Sequence, residues 1–140
     1  MANMRTRERR LRPSAIRAMN DAWLAYNYAR NFIYGRWCQA ELTIIKDPKS
    51  ACMYAGLVIR GRWPEAEPYI MKDPESAYDY ALYVLKGRWL EAEPFIMKDS
   101  RWAYYYAKHF IRGRWVEAED VIMKDERYRV EYKDFLSTLS

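Results

Sequence analysis

GRWPEAEPYIMKDPESAYDYALYVLK, residues 61–86, is the stretch whose reading decides the fold. Its leading Gly-Arg-Trp occurs at Gly35, Gly61, Gly87 and Gly113, a spacing of 26 residues each time. A fixed period of this size marks stacked repeats, because one short supersecondary unit cannot bury its apolar face alone. With positions numbered 1–26 in each unit, the full repeats are 21–46, 47–72, 73–98 and 99–124.

Position 1 is always aspartate (Asp21, Asp47, Asp73, Asp99), and Pro48 and Pro74 follow two of them. Aspartate before a helix accepts the free backbone N–H groups, and proline fits the first helical position. Apolar residues then fall at positions 5, 8, 9, 12 and 13, as in Ala77, Tyr80, Ala81, Val84 and Leu85. That is the stripe of an amphipathic helix, spanning about positions 2–14. Alanine holds positions 5 and 9 in every full repeat, which implies close helix–helix approach. Glycine at position 15 is expected to supply the left-handed residue that ends the helix.

A shorter second helix is expected over positions 18–25, with Ala at position 20 and Ile at position 24 in all four repeats. Pro68 and Pro94 sit at position 22. Because proline inside a helix removes a hydrogen bond and clashes with the preceding turn, the W-x-E-A-E segment should form a separate tight turn or a kink there.

Both ends depart from the consensus. Residues 10–20 read as a degenerate second helix with Leu11 at the Trp position and Ser14 and Ala18 replacing Ala and Ile. Residues 125–136 read as a degenerate first helix in which Tyr132 and Leu136 keep the core register. Arg129 and Lys133 replace its close-contact alanines. The fold class expected is all-α, a short right-handed α-solenoid of four helical-hairpin repeats with caps 10–20 and 125–136. The domain would cover residues 10–136 as a complete array, with a basic mobile arm at 1–9 and a frayed tail at 137–140.

The formal net charge of +5 sits entirely in residues 1–18, where six arginines face one glutamate; Arg5, Arg7, Arg9, Arg10 and Arg12 form the basic arm. No apolar run approaches the length a membrane helix needs. With no membrane segment evident, a soluble, cytoplasmic protein is expected. Cys38 and Cys52 occupy unrelated repeat positions, which suits packing residues in a reducing compartment better than a disulfide framework or metal site.

His109 is the only histidine, so a histidine-based triad or a multi-histidine metal site is excluded within one chain. The carboxylates at positions 19 and 21 are two residues apart and do not face one another on a helix. No Gly-rich phosphate loop occurs. The expectation is therefore no enzyme, no catalytic residues, no cofactor, no metal and no small-molecule substrate. The arginine at position 16 (Arg36, Arg62, Arg88, Arg114) could form a phosphate ladder, but the carboxylates recurring beside it favour an ion pair. The Trp at position 17 should staple the turn into the core.

The phrase Gly61, Trp63, Glu65 and Ala66, together with Asp73-Pro74, resembles the tetratricopeptide repeat, whose first helix ends in Gly, an aromatic and Glu-Ala. The likeness covers residues 21–124, with a period of 26 instead of 34 and with Ala81 one place closer to the glycine. The phrase is also similar to GRWPEAEP-type repeats of uncharacterised tailed-phage proteins, which implies a viral source and, in that case, host cytoplasm. The tetratricopeptide resemblance implies a binding face on the first helices at positions 3, 6, 10 and 14. There stand Trp23, Tyr26, Arg30, Tyr34, Arg60, Tyr78, Lys86, Arg101, Tyr104, Lys108 and Arg112. Tyr, Trp and Arg are enriched at interfaces. The expected function is thus a non-catalytic module binding an acidic partner segment, for instance a phage protein that binds or inhibits a host factor. Single-stranded nucleic acid, read by the same cations and tyrosines, is the alternative.

Overall fold

The computed structural model describes residues 12–139. Among them the chain is a short all-α solenoid, without a strand, in which each helix pair packs on the next. Helix α1 (Pro13–Ala18) precedes the four repeats. The first helices are α2 (Ala22–Tyr28), α4 (Pro48–Tyr54), α6 (Pro74–Tyr80) and α8 (Ser100–Tyr106). The second helices are α3 (Cys38–Ile44), α5 (Glu67–Ile70), α7 (Glu93–Ile96) and α9 (Val116–Lys124). Helix α10 (Glu126–Ser137) ends the array. The expected arm, residues 1–9, lies outside the described residues, as do Arg10 and Leu11 of the first cap.

Each first helix opens as its sequence dictates. The carboxylates of Asp21, Asp47, Asp73 and Asp99 accept the backbone N–H three residues on, at 2.9–3.0 Å. Ser50 and Ser76 also donate their hydroxyls to the capping Asp47 and Asp73. These contacts satisfy donors that a helix start otherwise leaves bare.

The far ends differ from expectation. After seven α-helical residues, every first helix widens into a π-helical turn: Ala29–Ile33, Ala55–Ile59, Ala81–Leu85 and Ala107–Ile111. Its i→i−5 bonds are well formed, as in Tyr34 N–H to the Ala29 carbonyl at 2.8 Å. The residue that then turns left-handed is at position 14: Tyr34, Arg60, Lys86 and Arg112, with φ of 56–61°. No glycine has positive φ, so the expected role of position 15 is corrected. A Cβ on Gly35, Gly61 or Gly87 would meet no atom within 4 Å, and nothing in the structure explains glycine there. Helix α10, which no Gly-Arg-Trp follows, stays α-helical throughout.

Proline decides the second helices. Where Leu42 or Asp120 fills position 22, α3 and α9 run unbroken from position 18. Where Pro68 or Pro94 stands there, a separate turn comes first, 3₁₀ at Leu90–Ala92 in the third repeat, and the α-helix starts at Glu67 or Glu93. A ring at position 22 cannot donate to the carbonyl four residues back, yet it fits a first turn.

The core is narrow and periodic. Ala at positions 5, 9 and 20 and Ile at position 24 are fully buried in all four repeats, as are Tyr54, Tyr80, Tyr106 and Tyr132. At the ends, Ala15, Ala18, Tyr128 and Tyr132 close the core. The two cysteines part company: Cys52 is buried, but Cys38 is exposed and packs against no core, contrary to expectation.

Candidate interaction surface

The most regular polar feature is a clamp at each Gly-Arg-Trp joint. Arg36, Arg62, Arg88 and Arg114 each hold the position-21 glutamate of their own repeat through Nε and Nη2, as in Arg62–Glu67 at 2.8 and 2.9 Å. The same glutamate accepts the hydroxyl of the position-8 tyrosine in the next helix: Glu41–Tyr54, Glu67–Tyr80, Glu93–Tyr106 and Glu119–Tyr132, at 2.8–3.0 Å. That hydroxyl in turn accepts the backbone N–H of Trp37, Trp63, Trp89 or Trp115 at 2.7–3.0 Å.

Each of these Trp rings packs on the position-8 tyrosine of its own repeat, with centroids 4.9–5.2 Å apart. The result is one alternating Tyr–Trp spine from Tyr28 to Tyr132. Its arginines are committed to ion pairs, and its tryptophans are at most 4% exposed. Burial pushes the phenols of Tyr54, Tyr80 and Tyr106 well above the usual tyrosine range. The arginine hydrogen bonds hold Glu41, Glu67 and Glu119 below the usual carboxylate range.

The expected binding residues separate into three groups. Tyr26, Tyr78 and Tyr104 are buried, at most 7% exposed, which corrects their expected place on an open face. Tyr26 accepts from Arg30 at 3.1 Å, and the Tyr78 hydroxyl meets His109 Nδ1 at 2.6 Å. A second group stands apart at the surface: Trp23 is about half exposed, while Arg101 lies 4.8 Å from the Trp102 ring and Lys108 5.9 Å from that of Tyr104.

The third group is brought together. Arg30, Tyr34, Arg60 and Lys86 line a groove of about 600 Å³ across the C-terminal ends of the first three first-helices, with Leu57 and Tyr83 on its walls. A second depression of about 470 Å³ continues it between repeats three and four, sharing Lys86 and adding His109 and Arg112. Tyr34 and Tyr83 are 83% and 67% exposed. Among the described residues none of Arg30, Arg60, Lys86 and Arg112 is ion-paired. Arg30 lies within a π turn and Arg60, Lys86 and Arg112 directly follow one, at the helix ends where the backbone dipole favours positive charge.

The sequence reading missed Leu57 and Tyr83, both at position 11. An α-helical stripe from position 10 steps directly to 14, whereas the π turn places one more residue in that turn and carries position 11 onto the groove wall. Among the described residues no cluster of His, Cys, Asp or Glu could hold a metal ion, and no helix is long and apolar enough to cross a membrane. No protein-family model, curated protein or solved structure matches the chain.

Proposed function

We propose that this solenoid is a non-catalytic interaction module that seats an acidic segment of a partner protein in the groove across the ends of α2, α4 and α6. The observation that carries the reading is the contrast between two sets of cations. The joint arginines are all spent on Glu41, Glu67, Glu93 and Glu119. Arg30, Arg60 and Lys86 converge on an open groove without a carboxylate partner and beside exposed tyrosines. Unpaired cations on a grooved, aromatic surface suit steering and recognition of an acidic chain. The likeness of the joint phrase to tailed-phage repeats extends the proposal to a viral protein that binds a host factor in the host cytoplasm.

The exposure of Tyr34 and Tyr83 beside these cations also favours a second reading, in which unpaired bases stack on the rings while phosphates meet the cations. Fluorescence anisotropy with a labelled Asp/Glu-rich peptide and with single-stranded RNA tests both. Peptide binding that falls at least about tenfold when Arg30, Arg60 and Lys86 are all changed to Glu supports the first reading. Unchanged peptide binding in that variant overturns it. RNA binding with a steep salt dependence, and no peptide binding, would establish the second.

A further inference from the structure

The joint between repeats two and three differs from the others beside the groove. Position 6 of the first helix is a buried tyrosine in three repeats, Tyr26, Tyr78 and Tyr104, but it is Cys52 in the second. Tyr78 shows what that ring does when present. It packs against the next helix, 5.2 Å from Trp102, 6.4 Å from Tyr105 and 6.0 Å from His109. One repeat earlier the positions of Tyr105 and His109 are occupied by Asp79 and Tyr83. Those two residues and Cys52 line a cavity of about 490 Å³, completed by Met53, Gly56 and Leu57.

Gly56 enlarges the opening. Position 10 carries Arg30, Leu82 or Lys108 in the other repeats. A Cβ on Gly56 would meet only Val84 Cγ2, at 3.8 Å, so neither backbone conformation nor a close neighbour demands glycine. Two side chains that cover this wall elsewhere are therefore cut back at one joint only. Asp79 makes no hydrogen bond or ion pair among the described residues. Burial, followed by the charge of Glu75, raises its carboxyl above the usual range, which suits an acceptor awaiting a neutral donor. Gly56, Leu57 and Tyr83 line both this cavity and the basic groove, so the two spaces adjoin along those residues.

We propose that the Cys52 slot takes a tyrosine side chain of the acidic partner segment. Its ring replaces the one that the chain supplies at the other joints, its hydroxyl faces Asp79, and neighbouring carboxylates of the segment lie on Arg30, Arg60 and Lys86. This rests on the acidic-segment reading and names the anchor within it. A buried aromatic flanked by charges is the form that interface hot spots commonly take.

The test is an amide-resolved NMR titration of the full chain with the capped peptide Glu-Asp-Tyr-Asp-Glu and with the same peptide carrying Ala for Tyr. The expected result is perturbation of the Gly56 and Asp79 amides by the tyrosine peptide, and at least about tenfold weaker binding of the alanine peptide. Cys52→Tyr fills the slot from within and should abolish the difference between the two peptides while leaving weak acidic binding. Equal affinity of the two peptides for the unaltered chain would overturn the slot assignment yet leave the groove reading standing. If neither peptide perturbs the amides of Arg30, Arg60 and Lys86, the acidic-segment reading falls as well.

Discussion

Tyr80 reaches back 17 residues to accept the Trp63 backbone N–H at 2.9 Å, fixing the first helix of one repeat to the joint inside the previous one. The bond is buried, and the same hydroxyl donates to Glu67 at 2.8 Å. Removing that single oxygen strands the buried Trp63 N–H, while Glu67 keeps its two bonds from Arg62. Tyr80→Phe should therefore cost about 1–3 kcal/mol, because the buried donor loses its acceptor without replacement by water. Urea unfolding checks this as a lowered midpoint at constant slope. Tyr28→Phe is the internal control, since Ala15 holds the position where its glutamate would be. A loss under about 0.5 kcal/mol for Tyr80→Phe would show that the Trp63 N–H finds another partner.

The left-handed residues lead to a second expectation. Arg112 holds φ of 57° without being glycine, a conformation costing an ordinary residue about 1–2 kcal/mol. Arg112→Gly removes that cost but gives the unfolded chain more freedom to lose, so a net stabilisation of about 0.5–1 kcal/mol is expected in denaturant melts. Gly87→Ala should be neutral or slightly stabilising, since its φ is not left-handed and its Cβ meets nothing. The opposite order, with Gly87→Ala the damaging change, would place the reversal back at position 15.

Much of this architecture was legible because each signal was local and repeated. Aspartate before a helix has one good use, and proline at position 22 delays the start of α5 and α7 until it falls in their first turn, as its missing N–H requires. That Arg62 pairs with a carboxylate was readable from their recurrence together, but the choice of Glu67 over Glu65 was not. The π turns were not legible, because Ala81–Leu85 has the same apolar spacing that an α-helix would show. The bond that follows the turn, from the Trp89 N–H to the Tyr106 hydroxyl, joins residues 17 apart and leaves no local signal. The left-handed residue at position 14 and Tyr83 on the groove wall were missed with the π turn. The burial of Tyr78 was also hidden, since its partners Trp102 and His109 belong to the next repeat.

Ala81 tests the packing that makes the repeats stack. It is fully buried between first helices, starts the π turn, and its carbonyl accepts the Gly87 N–H at 3.1 Å. Ala81→Leu forces extra methylenes into a contact with no space for them, so it should cost about 1–3 kcal/mol. Leu82→Ala, one residue on and exposed, should fall within about 0.5 kcal/mol of the parent. Thermal melts of the two variants separate overpacking at one face from any general intolerance of the helix. Equal melting temperatures would contradict the close approach.

The joint clamps also predict how stability responds to pH at both extremes. Hydrogen bonds from the arginines lower the folded-state pKa of Glu41, Glu67 and Glu119. Their stabilisation is thus present above the ordinary glutamate value of about 4.3 and is lost as pH falls through the lower folded value. On the alkaline side, Tyr54, Tyr80, Tyr106 and Tyr132 have raised folded values, chiefly from burial. Below about pH 10 these phenols are neutral in both states; above it the unfolded chain ionises first, and stability falls as pH climbs toward the folded values. The chain should therefore hold a melting plateau between about pH 5 and pH 9 with a decline on each side. Tyrosinate absorbance followed together with far-ultraviolet circular dichroism checks the alkaline limb, because burial raises Tyr54, Tyr80, Tyr106 and Tyr132 in the folded chain and their ionisation should accompany loss of helix. Glu67→Gln should flatten part of the acid limb while lowering the plateau, since an amide can still accept from Tyr80 but no longer pairs with the Arg62 charge. An acid limb of unchanged steepness in that variant would locate the titrating carboxylates outside the clamps.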